Sequence, residues 1–127
     1  MARPLRIEFP GACYHVIFRG NFRHNVFAED RDKKLLLDRL VEFSASHLVS
    51  IRCYSVMINH VHLFLQTREG NLGRFMQSFL TSFCVSYNRR HKTCGHVFQG
   101  RYKAYLVEDG GRHALEVARY IHLNPAR

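Results

Sequence analysis

Apolar residues along the chain change period several times, and each change marks an element. Ala12 to Arg19 (ACYHVIFR) is rich in β-branched and aromatic residues. It lies between the turn pairs Pro10-Gly11 and Gly20-Asn21, so it predicts a first strand. From Asp30 to His47 the period is helical. Leu36, Leu37, Leu40, Val41 and Leu48 recur at three- to four-residue spacing, with Asp30 or a neighbour as the cap. Ser50 to Met57 alternates: Ile51, Cys53, Ser55 and Met57 face one way, Arg52, Tyr54 and Val56 the other, which predicts a second strand. Ile58-Asn59 is a short hairpin connection to a third strand, His60 to Gln66.

The clearest pattern follows. Leu72, Phe75, Met76, Phe79, Leu80, Phe83, Cys84 and Tyr87 form one unbroken helical stripe within Asn71 to Arg90. A polar linker containing Gly95 and Gly100 leads to a fourth strand, Arg101 to Val107. Gly110-Gly111 breaks the chain. A last helix, about Arg112 to Leu123, ends at Asn124-Pro125, because the residue before proline is pushed out of the helical region. The order β-α-β-β-α-β-α predicts an α+β fold. Its core is a ferredoxin-like (RRM-like) four-stranded antiparallel sheet with two helices on one face. The other face is left for a ligand or for the last helix, and the fold alone does not fix a function.

Composition narrows the class. The chain has 127 residues and reads as a single domain spanning 1–127. With 46% hydrophobic and 13% aromatic residues it can build a core, which excludes a disordered basic tail. Its net charge of +9 predicts attraction to a polyanion, nucleic acid first and an anionic membrane surface second. The start has no apolar run of a signal peptide, and no stretch approaches the ~20 apolar residues of a membrane span. Cys13, Cys53, Cys84 and Cys94 have no C-x-x-C spacing and are expected to be reduced, mostly buried cysteines of a cytoplasmic protein.

Nine histidines hint at chemistry, and two stand out in Asn59-His60-Val61-His62-Leu63-Phe64-Leu65. In a strand, His60 and His62 project from the same face, with Val61 and Leu63 on the other. Such a pair can clamp one divalent cation, or it can be an ordinary polar pair on a solvated sheet face. Phe64 and Leu65 stand where an H-x-H-x-D-H hydrolase would continue, and an eight-stranded barrel of roughly 250 residues does not fit this chain. A structural zinc site would need more closely spaced cysteine or histidine. A site of few protein ligands with open positions remains, which suits an oxygen-rich substrate such as a phosphodiester.

Among the tyrosines, Tyr87 belongs to the apolar stripe and reads as packing. Tyr120 has Asn124 four residues on, on the same helix face. From these residues alone, Tyr120 is either a docking residue with Asn124 as a terminal amide, or a nucleophile beside a third metal ligand.

Four segments together resemble a known family. They are His60-Val61-His62 before an apolar strand, Tyr14-His15-Val16-Ile17-Phe18-Arg19-Gly20-Asn21, Gly95-His96-Val97-Phe98-Gln99-Gly100-Arg101-Tyr102-Lys103, and Tyr120-Ile121-His122-Leu123-Asn124-Pro125. Taken together in chain order they resemble the single-tyrosine HUH transposases of IS200-like insertion sequences, above all the branch associated with REP palindromes in bacterial genomes. The resemblance runs from about residue 10 to the end. It implies that His60, His62 and Asn124 hold Mg²⁺ or Mn²⁺ and that Tyr120 is the nucleophile. Tyr120 would attack single-stranded or hairpin DNA to give a 5′-phosphotyrosine and a free 3′-hydroxyl. A 3′-hydroxyl would then rejoin strands, with no external energy source. Related proteins commonly continue past Pro125, so the resemblance leaves open whether a C-terminal tail follows. The resemblance is compatible with a monomer or a homodimer, and no membrane partner is implied.

The basic run Asn88-Arg89-Arg90-His91-Lys92, with Arg101, Lys103 and more weakly Arg19, is the expected DNA surface. Such contacts give salt-dependent affinity and little sequence information. Phe98 and Tyr102 are placed to stack on unpaired bases. The alternative reading of this surface is a solvated helix end and a basic edge strand. The competing functions are a non-catalytic DNA- or RNA-binding relic of a domesticated transposase and a small metal-dependent hydrolase acting on a nucleotide.

Overall fold

In a computed structural model, the structure describes residues 8–107. The expected last helix, with Tyr120 and Asn124, lies outside the described residues.

Strand β1 (Cys13–Arg19), helix α1 (Asp30–Ser46), strands β2 (Val49–Val56) and β3 (His60–Thr67), helix α2 (Leu72–His91) and strand β4 (Lys103–Val107) follow the order read from the sequence. The sheet is antiparallel in the order β2-β3-β1-β4, so the first and third strands are central. This is the ferredoxin-like α+β arrangement.

Alternation along the two central strands divides the molecule. Tyr14, Val16 and Phe18 of β1 and Val61, Leu63 and Leu65 of β3 are buried in one core with Leu36 and Leu40 of α1 and Leu72, Phe75, Met76, Phe79, Phe83 and Tyr87 of α2. The α2 stripe is thus the floor of the core, and each fully buried phenylalanine contributes roughly 1.5–3 kcal/mol. The opposite sheet face carries Cys13, His15, Ile17 and Arg19, paired across to Gln66, Phe64, His62 and His60. On the other side of β1, Val107, Tyr105 and Lys103 stand opposite Cys13, His15 and Ile17 and share that face.

Several expectations require correction. In β2 the register shifts between Ile51 and Cys53. A bulge there adds one residue and reverses the alternation. Ile51 therefore packs against the helical core, while Cys53 and Ser55 stand opposite Phe64 and His62 on the histidine face. In α1, Val41 is exposed, and Leu48, beyond the helix end, is exposed too, at a positive φ of 56°. Asp32, polar and one turn before Leu36, is buried instead. The linker before β4 is not a solvated segment. Its Val97 and Phe98 are buried, and the Phe98 ring meets Phe18 edge-on with centroids 4.9 Å apart. Phe98 is therefore a core residue and not a platform for bases, and Tyr102 packs half-buried against the same core. The fourth strand starts at Lys103, leaving Arg101 in the approach to it. Cys13 and Cys53 are buried, Cys84 is half-buried and Cys94 is exposed, and all four are unbridged. No helix among the described residues is long and apolar enough to cross a membrane.

Candidate active site

Strand β3 places His60 and His62 two residues apart, so both rings stand on the face away from the helices, centroids 5.1 Å apart. Each ring is held through Nδ1. The His60 Nδ1–H donates to the Asn59 side-chain oxygen at 2.8 Å. His62 Nδ1 lies 3.1 Å from Nε2 of His15, and the two imidazoles stack with centroids 5.3 Å apart. His15 itself leans on Tyr105, 6.3 Å away between centroids. Beside His62 on the neighbouring strand, Ser55 is buried and donates its hydroxyl to the Met57 sulfur.

This environment keeps the pair neutral. Burial, then the Arg19 guanidinium, lowers the pKa of His60. Burial, then His15, His60 and Arg19, lowers His62 to about 4. Neutral imidazoles anchored at Nδ1 suit the binding of a divalent cation. The described donors fit such an ion, with Asn124 of the expected set lying outside the described residues.

An open cavity of about 1100 Å³ adjoins His60, and Arg19, Arg23, Arg101, Lys103 and Tyr105 line it. Arg19 faces His60 directly across the β1–β3 ladder, and Lys103 faces Ile17 across β1–β4. Three of the expected DNA contacts are thus gathered in the cavity beside His60. Gly20 makes the neighbouring turn possible: a Cβ there would collide with the His24 carbonyl oxygen.

The remaining basic candidates lie at the end of α2. Arg89 and Lys92 are exposed there. Arg90 is committed elsewhere. Its guanidinium reaches the buried Asp32 carboxylate at 3.5 Å and the Arg31 carbonyl at 3.2 Å, while His91 Nε2 lies 2.8 Å from the other Asp32 oxygen. Arg90 therefore ties α2 to the start of α1, and this ion pair accounts for the buried polar position in α1. Glu29, Asp32 and His91 also bring one ligand atom each within 4.8 Å of one another, a second place that could hold a metal ion. There Arg31 on Glu29 and Arg90 on Asp32 already neutralise the carboxylates. Tyr87 packs as expected: burial, then Asp32 and Glu29, push its phenol above the usual range.

Reasoning from sequence missed His15, Asn59, Arg23 and Tyr105. Asn59 directly precedes the histidine pair, and His15 sits in the quoted first-strand segment. Adjacency to the pair was the available signal for Asn59, and no local signal marked His15.

A histidine pair on the open face of this sheet is accompanied by a family match over most of the chain. The model of the family described as "Transposase IS200 like" matches residues 9–124. The chain belongs to the IS200-like transposase family. Its fold is similar to that of a REP-associated tyrosine transposase solved bound to a REP hairpin, with a TM-score of 0.81 and 14% identity over 99% of this chain and 73% of that one. It is also similar to a candidate transposase from Deinococcus radiodurans R1, with a TM-score of 0.63 and 19% identity over 96% of this chain and 95% of that one. No curated protein matches the sequence. At these identities the two structures speak to the fold of this IS200-like transposase, and the family match speaks to its class.

Proposed function

We propose that this chain nicks and rejoins single-stranded or hairpin DNA through a covalent 5′-phosphotyrosine on Tyr120. The observation that carries the reading is the His60–His62 pair, neutral, anchored through Nδ1 and flanked by a basic cavity, in a chain of a transposase family.

The anchoring decides which nitrogen acts. A neutral imidazole has one N–H and one lone pair. His60 donates its Nδ1–H to Asn59, so its lone pair is on Nε2. For His62 to offer Nε2 as well, its Nδ1–H must donate to His15 Nε2, which places the His15 ring proton on Nδ1. His60, His62 and Asn124 would hold Mg²⁺ or Mn²⁺, and two imidazole donors favour Mn²⁺ of the two. When bound, such an ion polarises the scissile phosphate and offsets the charge of the transition state.

The protein's own groups supply the rest. Arg19, Arg101 and Lys103 bind phosphates of the incoming strand in the cavity. The Tyr120 phenol, with an ordinary pKa of about 10, loses its proton, and its oxygen bonds to phosphorus. The bond from phosphorus to the 3′-oxygen breaks, and that oxygen leaves as a 3′-hydroxyl. Attack by a 3′-hydroxyl on the phosphotyrosine restores the phosphodiester and the phenol. One phosphoester replaces another at each step, so no nucleotide hydrolysis is required. Tyr120 and Asn124 fall inside the span matched by the family model.

The reading is tested with an end-labelled hairpin oligonucleotide carrying single-stranded flanks, incubated with protein and Mn²⁺. The expected result is cleavage that disappears with chelator and falls at least a hundredfold in His60→Ala and His62→Ala. Tight binding of the hairpin with no cleavage under either metal would instead indicate a non-catalytic binder. Release of a free 5′-phosphate would indicate a hydrolase.

A further inference from the structure

Phe22 is the most exposed large apolar residue among those described, at 93% of its accessible surface, and it stands in a backbone conformation that phenylalanine avoids. Its φ and ψ are 52° and 35°, and Arg23 follows at a φ of 57°. Left-handed geometry costs a non-glycine residue roughly 1–2 kcal/mol. The turn nevertheless has no slack. The Asn21 N–H donates to the Val97 carbonyl at 2.9 Å, the Gln99 N–H to the Arg19 carbonyl at 2.8 Å, and the His24 N–H to the Asn21 carbonyl at 3.0 Å. A single exposed apolar side chain needs no explanation. An exposed aromatic ring held at a strained position, where glycine or asparagine would cost less, does.

Its location indicates the occupant. Arg23, one residue on, lines the basic cavity beside His60. Phe22 lines a second cavity of about 520 Å³ with His24, His91 and His96, at the end of α2. The turn is therefore the ridge between the two cavities, and the ring projects from it. Cationic groups that hold phosphates and an aromatic face that holds a base together form the usual platform for unpaired nucleic acid.

Resting on the DNA reading above, we infer that Phe22 is a stacking residue that takes an unpaired base of the bound strand and positions the strand entering the basic cavity.

The test measures binding of two hairpins to wild type, Phe22→Gly and Phe22→Trp. One hairpin is blunt, and the other has a single-stranded flank with 2-aminopurine as a reporter base. The same variants are unfolded in urea. Wild type is expected to quench the reporter. Phe22→Gly is expected to unfold at higher urea, because glycine relieves the positive φ. It should also bind the flanked hairpin roughly 5- to 100-fold more weakly and lose the quenching. Phe22→Trp should keep both, and the blunt hairpin should bind all three alike. If wild type binds the flanked hairpin and Phe22→Gly binds and quenches equally, the stacking role is wrong while the DNA reading stands. If Phe22→Gly weakens both hairpins equally, the stacking role is again wrong. If wild type binds neither hairpin, the DNA reading fails and takes this inference with it.

Discussion

The Nε2 of His15 lies 3.1 Å from the Nδ1 of His62, joining β1 to β3 on the face away from the helices. The bond orients the ring that β3 presents beside His60. Where His62 donates its Nδ1–H across this contact, its Nε2 lone pair is left for a cation.

Replacing His15 should therefore act on metal binding. His15→Phe keeps an aromatic ring but removes the acceptor, and is expected to weaken Mn²⁺ binding about 10- to 100-fold. His15→Gln, which restores an acceptor oxygen, should recover much of it. Isothermal titration of Mn²⁺ into metal-free protein checks this, and equal affinities in all three proteins would refute it.

Acid should loosen the fold through the same site. His62 has its pKa lowered to about 4, chiefly by burial, against about 6.5 in the unfolded chain. Between these values the unfolded state binds a proton that the folded state does not. Stability is therefore full above about pH 6.5 and falls toward pH 4, by up to about 2–3 kcal/mol from this group. Urea unfolding of metal-free wild type and His62→Gln at several pH values measures it. The wild-type slope should be the steeper of the two across that window.

The basic residues should divide into two groups. Arg101→Ala and Lys103→Ala are expected to weaken single-stranded DNA binding, each lowering the slope of log affinity against log salt by about 0.7. Arg90→Ala should leave that slope unchanged and cost about 1–3 kcal/mol of stability, because buried Asp32 loses a partner. An Arg90→Ala protein that is fully stable but deficient in DNA binding would reverse this assignment.

Phe98→Ala distinguishes a core residue from a base platform. With the ring packed against Phe18 and Phe83, the substitution should cost about 3–5 kcal/mol in urea unfolding. A solvent-facing stacking residue would lose affinity at unchanged stability.

Much of this architecture was legible because it depends on local period. The α2 stripe from Leu72 to Tyr87 has only one helical reading, and alternation put His60 and His62 together with Val61 and Leu63 turned inward. What escaped depends on contacts between distant segments. His15 meets His62 only through the strand register, which no local pattern encodes. The bulge between Ile51 and Cys53 reversed an alternation that looked continuous. The burial of Asp32 in α1 depends on Arg90 and His91, far along the chain, which supply its partners. Phe98 looked exposed in a polar linker because the burial of that linker is decided by its antiparallel bridge to Gly20, just past the end of β1.

The measurement closest to the central claim is the fate of Tyr120 during DNA cleavage. Wild type and Tyr120→Phe are incubated with Mn²⁺ and a 5′-unlabelled, 3′-labelled hairpin substrate, and separated on a denaturing gel. Wild type should yield a protein–DNA adduct whose digested peptide carries the nucleotide mass on Tyr120, and Tyr120→Phe should yield none. An adduct of equal yield in Tyr120→Phe, or cleavage by wild type with no adduct, would contradict the account.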